Sequence, residues 1–413
     1  MQQSTASQLR PILPILIGSA LMLTLTMGLR QSLGLFMPAI TNDISVTVTQ
    51  FTLAIAIQNL CWGIFQPIVG SLTPRYGFRP VMVGGGAIYL GGMALLSVSQ
   101  GFLTIVIGAG VMIGIGMACS STALAMAVTA RTVPASIRSV MLGIVSAVGS
   151  LGSLIAAPLG QSVMAAFDWR VALTVFAALA LLIVPAAWMA GRVDRLPAPP
   201  IQKDSADDKS LRDALRMALG DLSFVVMTMA YFVCGMQLIF LLTHLPAYLA
   251  LCGADPMLAA TAIGVIGGMN ILGSLFFGWA GGRWSKQALL GMIYCGRSFT
   301  IAWYFLQVPT PQNTVIFAAI MGFLWLGVGP LIAGSVAERF GLRWQAMLQG
   351  VTFSFHQIGS FLGALGGGLV FDLFGNYDVA VKFGVSLGLF AGIVQIAVAL
   401  SRRSGTPGAP QPA

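Results

Sequence analysis

The 413-residue chain is 57% hydrophobic and only 8% charged, with a formal net charge of +9. Soluble domains carry roughly 25% charged residues, so this chain cannot cover a water-facing surface and most of it must face lipid. About 20 apolar residues suffice for a helix to cross a bilayer, and the alternating ten-residue segments of an outer-membrane barrel are absent. The composition therefore predicts an all-α, polytopic membrane protein.

Twelve apolar segments follow one another, bounded by glycine, proline and charged residues. The first lacks a short apolar core followed by a small-residue cleavage site, so it indicates a spanning helix rather than a signal peptide. The predicted spans are 12–40, 50–72, 80–99, 101–130, 136–164, 169–190, 222–250, 257–280, 287–307, 314–334, 344–371 and 379–401.

The break between the sixth and seventh spans differs from the others. Its sequence, GRVDRLPAPPIQKDSADDKSLRDALRMALGD, is proline-rich and then charged, which predicts a solvated linker with one or two amphipathic turns near its end. We therefore expect a six-helix bundle over 1–190, a cytoplasmic linker over 191–220, a second bundle over 221–403 and a disordered tail over 404–413.

The basic residues predict the orientation. If the termini, the linker and alternate loops share one side, that side holds 17 of the 21 lysines and arginines, and the other side holds only Arg170 and Lys382. The positive-inside rule then predicts that both termini lie in the cytoplasm. The expected location is the inner (plasma) membrane of the cell. The excess positive charge reflects this bias, so no nucleic-acid partner is expected.

An internal repeat appears at a nearly constant offset. The segment FMPA at 36–39 recurs as HLPA at 244–247, and LGIVSAVGSLGS at 142–153 aligns with QGVTFSFHQIGS at 349–360. Further matches at an offset of 208 are Gly70 with Gly278, Arg75 with Arg283 and Arg131 with Arg339. The chain is thus predicted to be two pseudo-symmetric six-helix bundles of the same orientation.

Two parallel six-helix repeats joined by a cytoplasmic loop resemble the major facilitator superfamily. The loop GSLTPRYGFR after the second span is similar to the family's signature, although Pro74 replaces its usual aspartate. The resemblance implies alternating access between two halves, with Arg75, Arg79 and Arg283 as candidate gating residues at cytoplasmic helix ends.

Arg30 lies inside the first apolar run, roughly 12 Å inward from Pro38 at helical rise. A charge at this depth costs about 2.5–3.5 kcal/mol on insertion scales, and no acidic residue lies near mid-span to neutralise it. Arg30 therefore predicts an anion site in a water-filled cavity. The alternative is a structural arginine held by carbonyl groups and by Gln58, Asn59 or Gln66.

More narrowly, the chain resembles the monocarboxylate and oxalate–formate porters, whose first helix often carries a cation at this depth. Those proteins tend to have an arginine four residues before a glycine in the eighth helix. Here Ser274 precedes Gly278, and Asn270 lies four residues earlier. The resemblance implies a monocarboxylate cargo, with Asn270 rather than a second arginine on the eighth helix.

Other polar residues are candidates for the same cavity. Arg297 is the second charge within a span; it either turns inward as a second cation or bonds carbonyls and tyrosines such as Tyr294. Gln237 of the seventh helix and Trp325 of the tenth complete a mixed polar and aromatic pocket. The predicted substrate-binding residues are Arg30, Gln58, Asn59, Gln237, Asn270, Arg297 and Trp325.

The two histidines are candidates for proton coupling, because no acid lies at mid-depth. His244 is expected to lie just outward of Arg30, and His356 to lie near mid-depth in the eleventh helix. Anion uptake against an inside-negative potential needs a proton or an exchanged anion. Proton symport through a histidine is favoured over anion exchange.

The sequence thus predicts a secondary transporter, expected to be a monomer, that carries a small organic anion with protons. Transport of a neutral or weakly acidic metabolite or drug, in either direction, is the alternative. A receptor or enzyme lacks support, since no Walker loop or His/Glu metal cluster is present. No cofactor and no metal are expected, and the five scattered cysteines indicate packing.

Overall fold

The computed structural model describes residues 12–120, 122–134, 138–197 and 211–404. Eleven helices in this part of the chain are long and apolar enough to cross a membrane, and Lys286–Phe305 is a further 20-residue helix that contains Lys286 and Arg297. In chain order we number them α1 Leu13–Asp43, α2 Val48–Thr73, α3 Phe78–Ser97, α4 Phe102–Thr132, α5 Met141–Ala166, α6 Trp169–Arg195, α7 Leu222–Leu251, α8 Pro256–Ala280, α9 Lys286–Phe305, α10 Pro311–Gly341, α11 Met347–Phe374 and α12 Asp378–Ser401. The predicted all-α, twelve-helix architecture is confirmed.

The helix ends follow local capping chemistry. Thr47 and Gln50 form a capping box before α2, and the carboxylates of Asp168 and Asp221 accept backbone N–H groups at the starts of α6 and α7. Two interruptions lie close to the candidate site. In α1 the α-helical section Leu13–Gln31 gives way to a 3-10 turn just before Pro38, and α10 loses helical structure between Phe323 and Val328.

The segment between the halves is only partly described. The helical turns that end α6 continue to Arg195, five residues into the predicted linker, and a short amphipathic helix, Leu211–Gly220, precedes α7. The rest of the predicted linker, 198–210, and the predicted tail from residue 405 lie outside the described residues. The division into two bundles joined by a linker stays a prediction.

Helices before and after the linker meet along two lines, α2 with α11 and α5 with α8. Within the first six helices, α1 packs on α5 and α6. Gly28 of α1 and Gly152 of α5 approach so closely that neither position has room for a Cβ atom. Within the last six, α7 packs on α11 and α12, and α9 packs on α12. These contacts place α1, α2, α7 and α11 around a common centre.

We call the side that holds the start of α1 the terminal face and the side that holds the α1–α2 turn the opposite face. The two halves are in contact at the opposite face. Asp372 at the end of α11 accepts the backbone N–H of Thr49 at 3.0 Å, Gly34 packs against the Leu242 carbonyl, and Gly368 packs against Thr49.

Candidate functional site

Arg30 lies in the last turn of the α-helical section of α1 and is 7% exposed. Its Nη2 donates to Asn59 Oδ1 at 2.5 Å, and its guanidinium carbon lies 5.0 Å from the centre of the Trp62 ring. The Nε atom is buried and has no hydrogen-bond partner. The guanidinium is therefore held on one edge and one face, and its donors are not all used.

No carboxylate pairs with Arg30 among the described residues. The ion pairs seen there are Arg170 with Asp43, Lys286 with Glu338 and Arg339 with Asp221, all near one face or the other. A buried guanidinium without a counterion is costly unless another anion neutralises it. The geometry thus combines both sequence alternatives: Asn59 holds Arg30, and its charge remains unpaired.

A hydrogen-bonded chain runs from Arg30 into the second half. The Gln357 side chain donates to the backbone carbonyl of Asn59 at 3.3 Å, and its Oε1 lies 3.0 Å from His356 Nδ1. We call Arg30, Asn59, Gln357 and His356 the central chain. It links α1 and α2 of the first half to α11 of the second.

Aromatic rings surround the central chain. The rings of Trp62 and Phe353 pack edge to face at 5.2 Å across the α2–α11 contact, and Phe353 stacks on His356 with centroids 6.1 Å apart. Tyr231 of α7 lies 4.4 Å from the His356 ring. These rings pack against the Arg30 guanidinium and the His356 imidazole, and the lower local dielectric there strengthens electrostatic interactions.

His244 is not in the central chain. Its Nδ1 lies 3.2 Å from the Tyr377 hydroxyl and its Nε2 lies 2.9 Å from the Ala364 carbonyl oxygen, so both ring nitrogens have partners on or beyond α11. The ring packs against Gly367, where a Cβ would not fit. Its hydrogen-bond partners lie on α11 and in the turn that follows it rather than on Arg30, and its expected place just outward of Arg30 stays a prediction.

Arg297 is fully buried and follows the second sequence alternative. Its Nε donates to the Leu324 carbonyl at 2.9 Å, its Nη2 donates to the carbonyls of Leu324 and Trp325, and its Nη1 contacts Cys234 Sγ at 2.9 Å. These carbonyls lie where α10 is interrupted, so Arg297 replaces backbone hydrogen bonds that the helix has lost. It does not turn into the centre as a second free cation.

A small cavity lies between α1, α4, α5, α8 and α10. Asn270 crosses it: its Nδ2 donates to Ser150 Oγ at 2.9 Å, and its Oδ1 accepts the Leu326 N–H at 2.9 Å. Trp325 lines the same cavity, as does Gln31, which accepts a hydrogen bond from Ser153. Two predicted residues, Asn270 and Trp325, are thus brought together here.

The two predicted glutamines point elsewhere. Gln58 donates to the Ala109 carbonyl of α4 at 2.6 Å. Gln237 donates to Ser298 Oγ at 3.1 Å and to the Gly384 carbonyl at 2.9 Å, between α9 and α12. Neither contacts Arg30, so only Asn59 joins it among the predicted substrate-binding residues.

Sequence reasoning missed Trp62 and Gln357 as parts of the site. Trp62 follows Asn59 by three residues and therefore shares its helix face, which is a signal that could have found it. Gln357 carried no comparable signal, because its contact with Asn59 depends on how α11 docks against α2.

The candidate gating arginines lie at the terminal face. Arg75 and Arg283 are exposed, with guanidinium carbons 5.4 Å from the Tyr76 ring and 4.4 Å from the Trp279 ring. Arg79 lies 4.6 Å from the Trp188 ring. Among the described side chains, none of the three pairs with a carboxylate, so their gating role stays a prediction.

Comparison with known proteins identifies the family. The model of the Major Facilitator Superfamily matches residues 19–364. The chain belongs to this superfamily. Three relatives are similar to this chain over most of their length, and their names identify them as transporters rather than enzymes.

Monocarboxylate transporter 13 of Bos taurus is 24% identical over 316 residues, which is 76% of this chain and 72% of the relative. The sialic acid transporter NanX of Escherichia coli (strain K12) is 22% identical over 359 residues, or 84% of this chain and 82% of the relative. The uncharacterized MFS-type transporter YcxA of Bacillus subtilis (strain 168) is 22% identical over 366 residues, covering 85% and 86%.

Proposed function

We propose that this major facilitator is a secondary transporter of a small organic anion, with Arg30 binding the cargo's carboxylate. The observation that carries the proposal is a buried guanidinium with an unused Nε donor and no carboxylate partner in the described residues. The names of two relatives, which refer to monocarboxylates and to sialic acid, support an acidic cargo.

The surroundings of Arg30 suit this role physically. Asn59 fixes one nitrogen of the guanidinium, and the Trp62 ring lies against its face, so little rotamer entropy remains to be lost when an anion binds. A carboxylate can then accept two parallel hydrogen bonds from the planar fork. Cargo binding also neutralises a charge that is costly at this depth.

We propose His356 as the group that couples proton movement to the cargo. It lies in the central chain and within electrostatic range of both Arg30 and Arg297. Adding a proton to His356 places a third positive charge in a medium of low dielectric, which like charges oppose. An anion on Arg30 cancels one of the three charges, so proton and cargo should bind together.

His244 is the weaker candidate, because the Ala364 carbonyl and the Tyr377 hydroxyl already occupy its ring nitrogens. We also propose that the protein lies in the inner membrane with both termini in the cytoplasm. The contacts at the opposite face would then close the transporter toward the outside, leaving the cargo route to the terminal face.

Binding should be tested first with purified wild-type protein by thermal shift against short carboxylates, amines and neutral aromatics. A carboxylate that raises the melting temperature should lose this effect in Arg30→Gln, and Arg30→Lys should bind more weakly because it lacks the fork. Arg170→Gln, which removes an arginine from the opposite face, is the matched control. Normal stabilisation of Arg30→Gln would refute the anion site.

Coupling should be tested with the best-binding carboxylate in proteoliposomes that carry a pH gradient and no internal substrate. Uptake that follows the gradient, and loses this dependence in His356→Gln, supports proton symport. Uptake that appears only when the liposomes are preloaded with the anion contradicts symport and establishes exchange.

A further inference from the structure

A second polar pocket lies far from the central chain, at the terminal face of the second half. It contains about 600 Å³ of open space at the turn between α8 and α9 and beside the end of α10. The residues that matter for its chemistry are Arg283, Lys286, Gln287, Ser335, Glu338 and Arg339. We call it the terminal-face pocket.

Two buried donors in this pocket lack partners. Gln287 is 5% exposed and its Nε2 has no hydrogen-bond partner; Ser335 is 3% exposed and its Oγ has none either. Buried polar atoms are nearly always paired, and leaving one unpaired costs about 1–3 kcal/mol. Both residues line the pocket, which favours a ligand that supplies acceptors to donors at its wall.

The charges around the pocket favour an anion. Three cations line it against one carboxylate. Lys286 bonds Glu338, and Arg339 lies 3.2 Å from Asp221, whereas the guanidinium of Arg283 rests on Trp279 without a carboxylate among the described side chains. The pocket also contains the first turn of α9, where the Ser285 hydroxyl caps the Ala288 N–H at 3.4 Å and the helix dipole attracts negative charge.

The internal repeat allows the start of α9 to be compared with the corresponding start of α3 in the first half. At the offset of 208, Lys286 and Gln287 correspond to Phe78 and Arg79 at the start of α3. There the Asp194 carboxylate accepts the backbone N–H groups of Phe78 at 2.9 Å and of Arg79 at 2.8 Å. The first half therefore supplies its own anion to this helix end.

In the second half the position that corresponds to Asp194 carries no carboxylate, and Glu338 of the pocket is bonded to Lys286. The residue that corresponds to Asp194 is Arg402, which reverses the charge. From the unpaired donors, the excess of cations and the missing carboxylate, we propose that the terminal-face pocket binds a phosphate group, carried either by a lipid headgroup or by a free phosphorylated solute. Phosphate suits the pocket better than a carboxylate because its oxygens can accept from donors on several sides at once.

The test uses delipidated full-length protein that carries Arg30→Gln, so that the transport site does not contribute. Melting temperatures are measured against inorganic phosphate, glycerol 3-phosphate and a short-chain soluble phosphatidylglycerol, with chloride holding ionic strength constant. Gln287→Glu places a carboxylate in the pocket without changing side-chain size, as Asp194 does in the first half. Lys382→Ala, at the exposed opposite face, is the control for loss of a charge.

We expect at least one phosphate compound to raise the melting temperature saturably, and Gln287→Glu and Arg283→Ala to weaken its apparent affinity about tenfold. Gln287→Glu should retain or gain stability without ligand, which separates lost binding from misfolding. Stabilisation by the lipid alone identifies a headgroup site, and stabilisation by the soluble phosphates identifies a free solute. No stabilisation by any of them, or equal stabilisation in both variants and the control, would overturn the proposal.

Discussion

The contact between Asp372 and the start of α2 should hold the two halves together at the opposite face. The Asp372 carboxylate accepts the Thr49 N–H at 3.0 Å, so an acid of the second half satisfies a helix N-terminus of the first. Removal of such an acceptor costs about 0.5–2 kcal/mol, and a favourable charge at a helix N-terminus contributes about 0.3–1 kcal/mol.

Because Asp372 remains exposed, solvent screens its charge and we take about 1 kcal/mol as the contribution of the contact. If the contact breaks when the opposite face opens, Asp372→Ala should raise the ratio of open to closed molecules about fivefold. Asp372→Asn keeps an acceptor but loses the charge, so it should have a smaller effect.

The assay is electron–electron distance measurement between spin labels at Ser45 and Asn376, exposed positions on either side of the contact. We expect a longer-distance population to grow in Asp372→Ala. The matched control is Asp378→Asn, which neutralises another exposed acid on the same face. An unchanged distance distribution in Asp372→Ala, or the same change in Asp378→Asn, would refute the reasoning.

Three further predictions concern positions away from this contact. Arg297→Gln should lower the free energy of unfolding by on the order of 3 kcal/mol, seen as a lower melting temperature, since the carbonyls at the α10 break lose charged donors; an unchanged melting temperature would contradict its structural role. His244→Gln should keep the pH dependence of uptake in the proteoliposome assay, and loss of that dependence would show that His244 takes part in proton coupling. On a background without native cysteines, a cysteine at Ser205 should label only from the cytoplasm and one at Asn313 only from outside; outside labelling at Ser205 would reverse the topology.

The spans, the repeat and the unpaired charge of Arg30 could be predicted because each depends on residue type and spacing alone. Asn59 was predictable as its partner among the polar residues of the second span. The hydrogen-bond partners of His244 were not predictable, because they depend on which neighbouring helix offers polar groups to its ring. Here these are the Ala364 carbonyl and the Tyr377 hydroxyl.

The partners of Arg297 were hidden for a different reason. They are backbone carbonyls freed by the interruption of α10, and a backbone acceptor has no signature in the sequence. The same limit applies to the bond between Gln357 and the Asn59 carbonyl, which exists only once α11 and α2 have docked.

The positions of the described acids are consistent with the proposal that an anion bound at mid-membrane would come from outside the chain. Of the twelve acids, three lie in 198–210, outside the described residues. The other nine lie at helix ends, in the linker helix or in ion pairs near a face; they are Asp43, Asp168, Asp194, Asp213, Asp221, Asp255, Glu338, Asp372 and Asp378.

The two mid-span arginines then differ in one physical respect. Arg297 has backbone carbonyls that α10 has freed, whereas Arg30 has a neutral amide, an aromatic face and an unused Nε donor. A neutral amide solvates a guanidinium only partly, so under the proposed function a carboxylate that binds Arg30 would supply the missing charge interaction. If the proposed function holds, the described acids lie near the faces and the cargo would supply the negative charge at the centre.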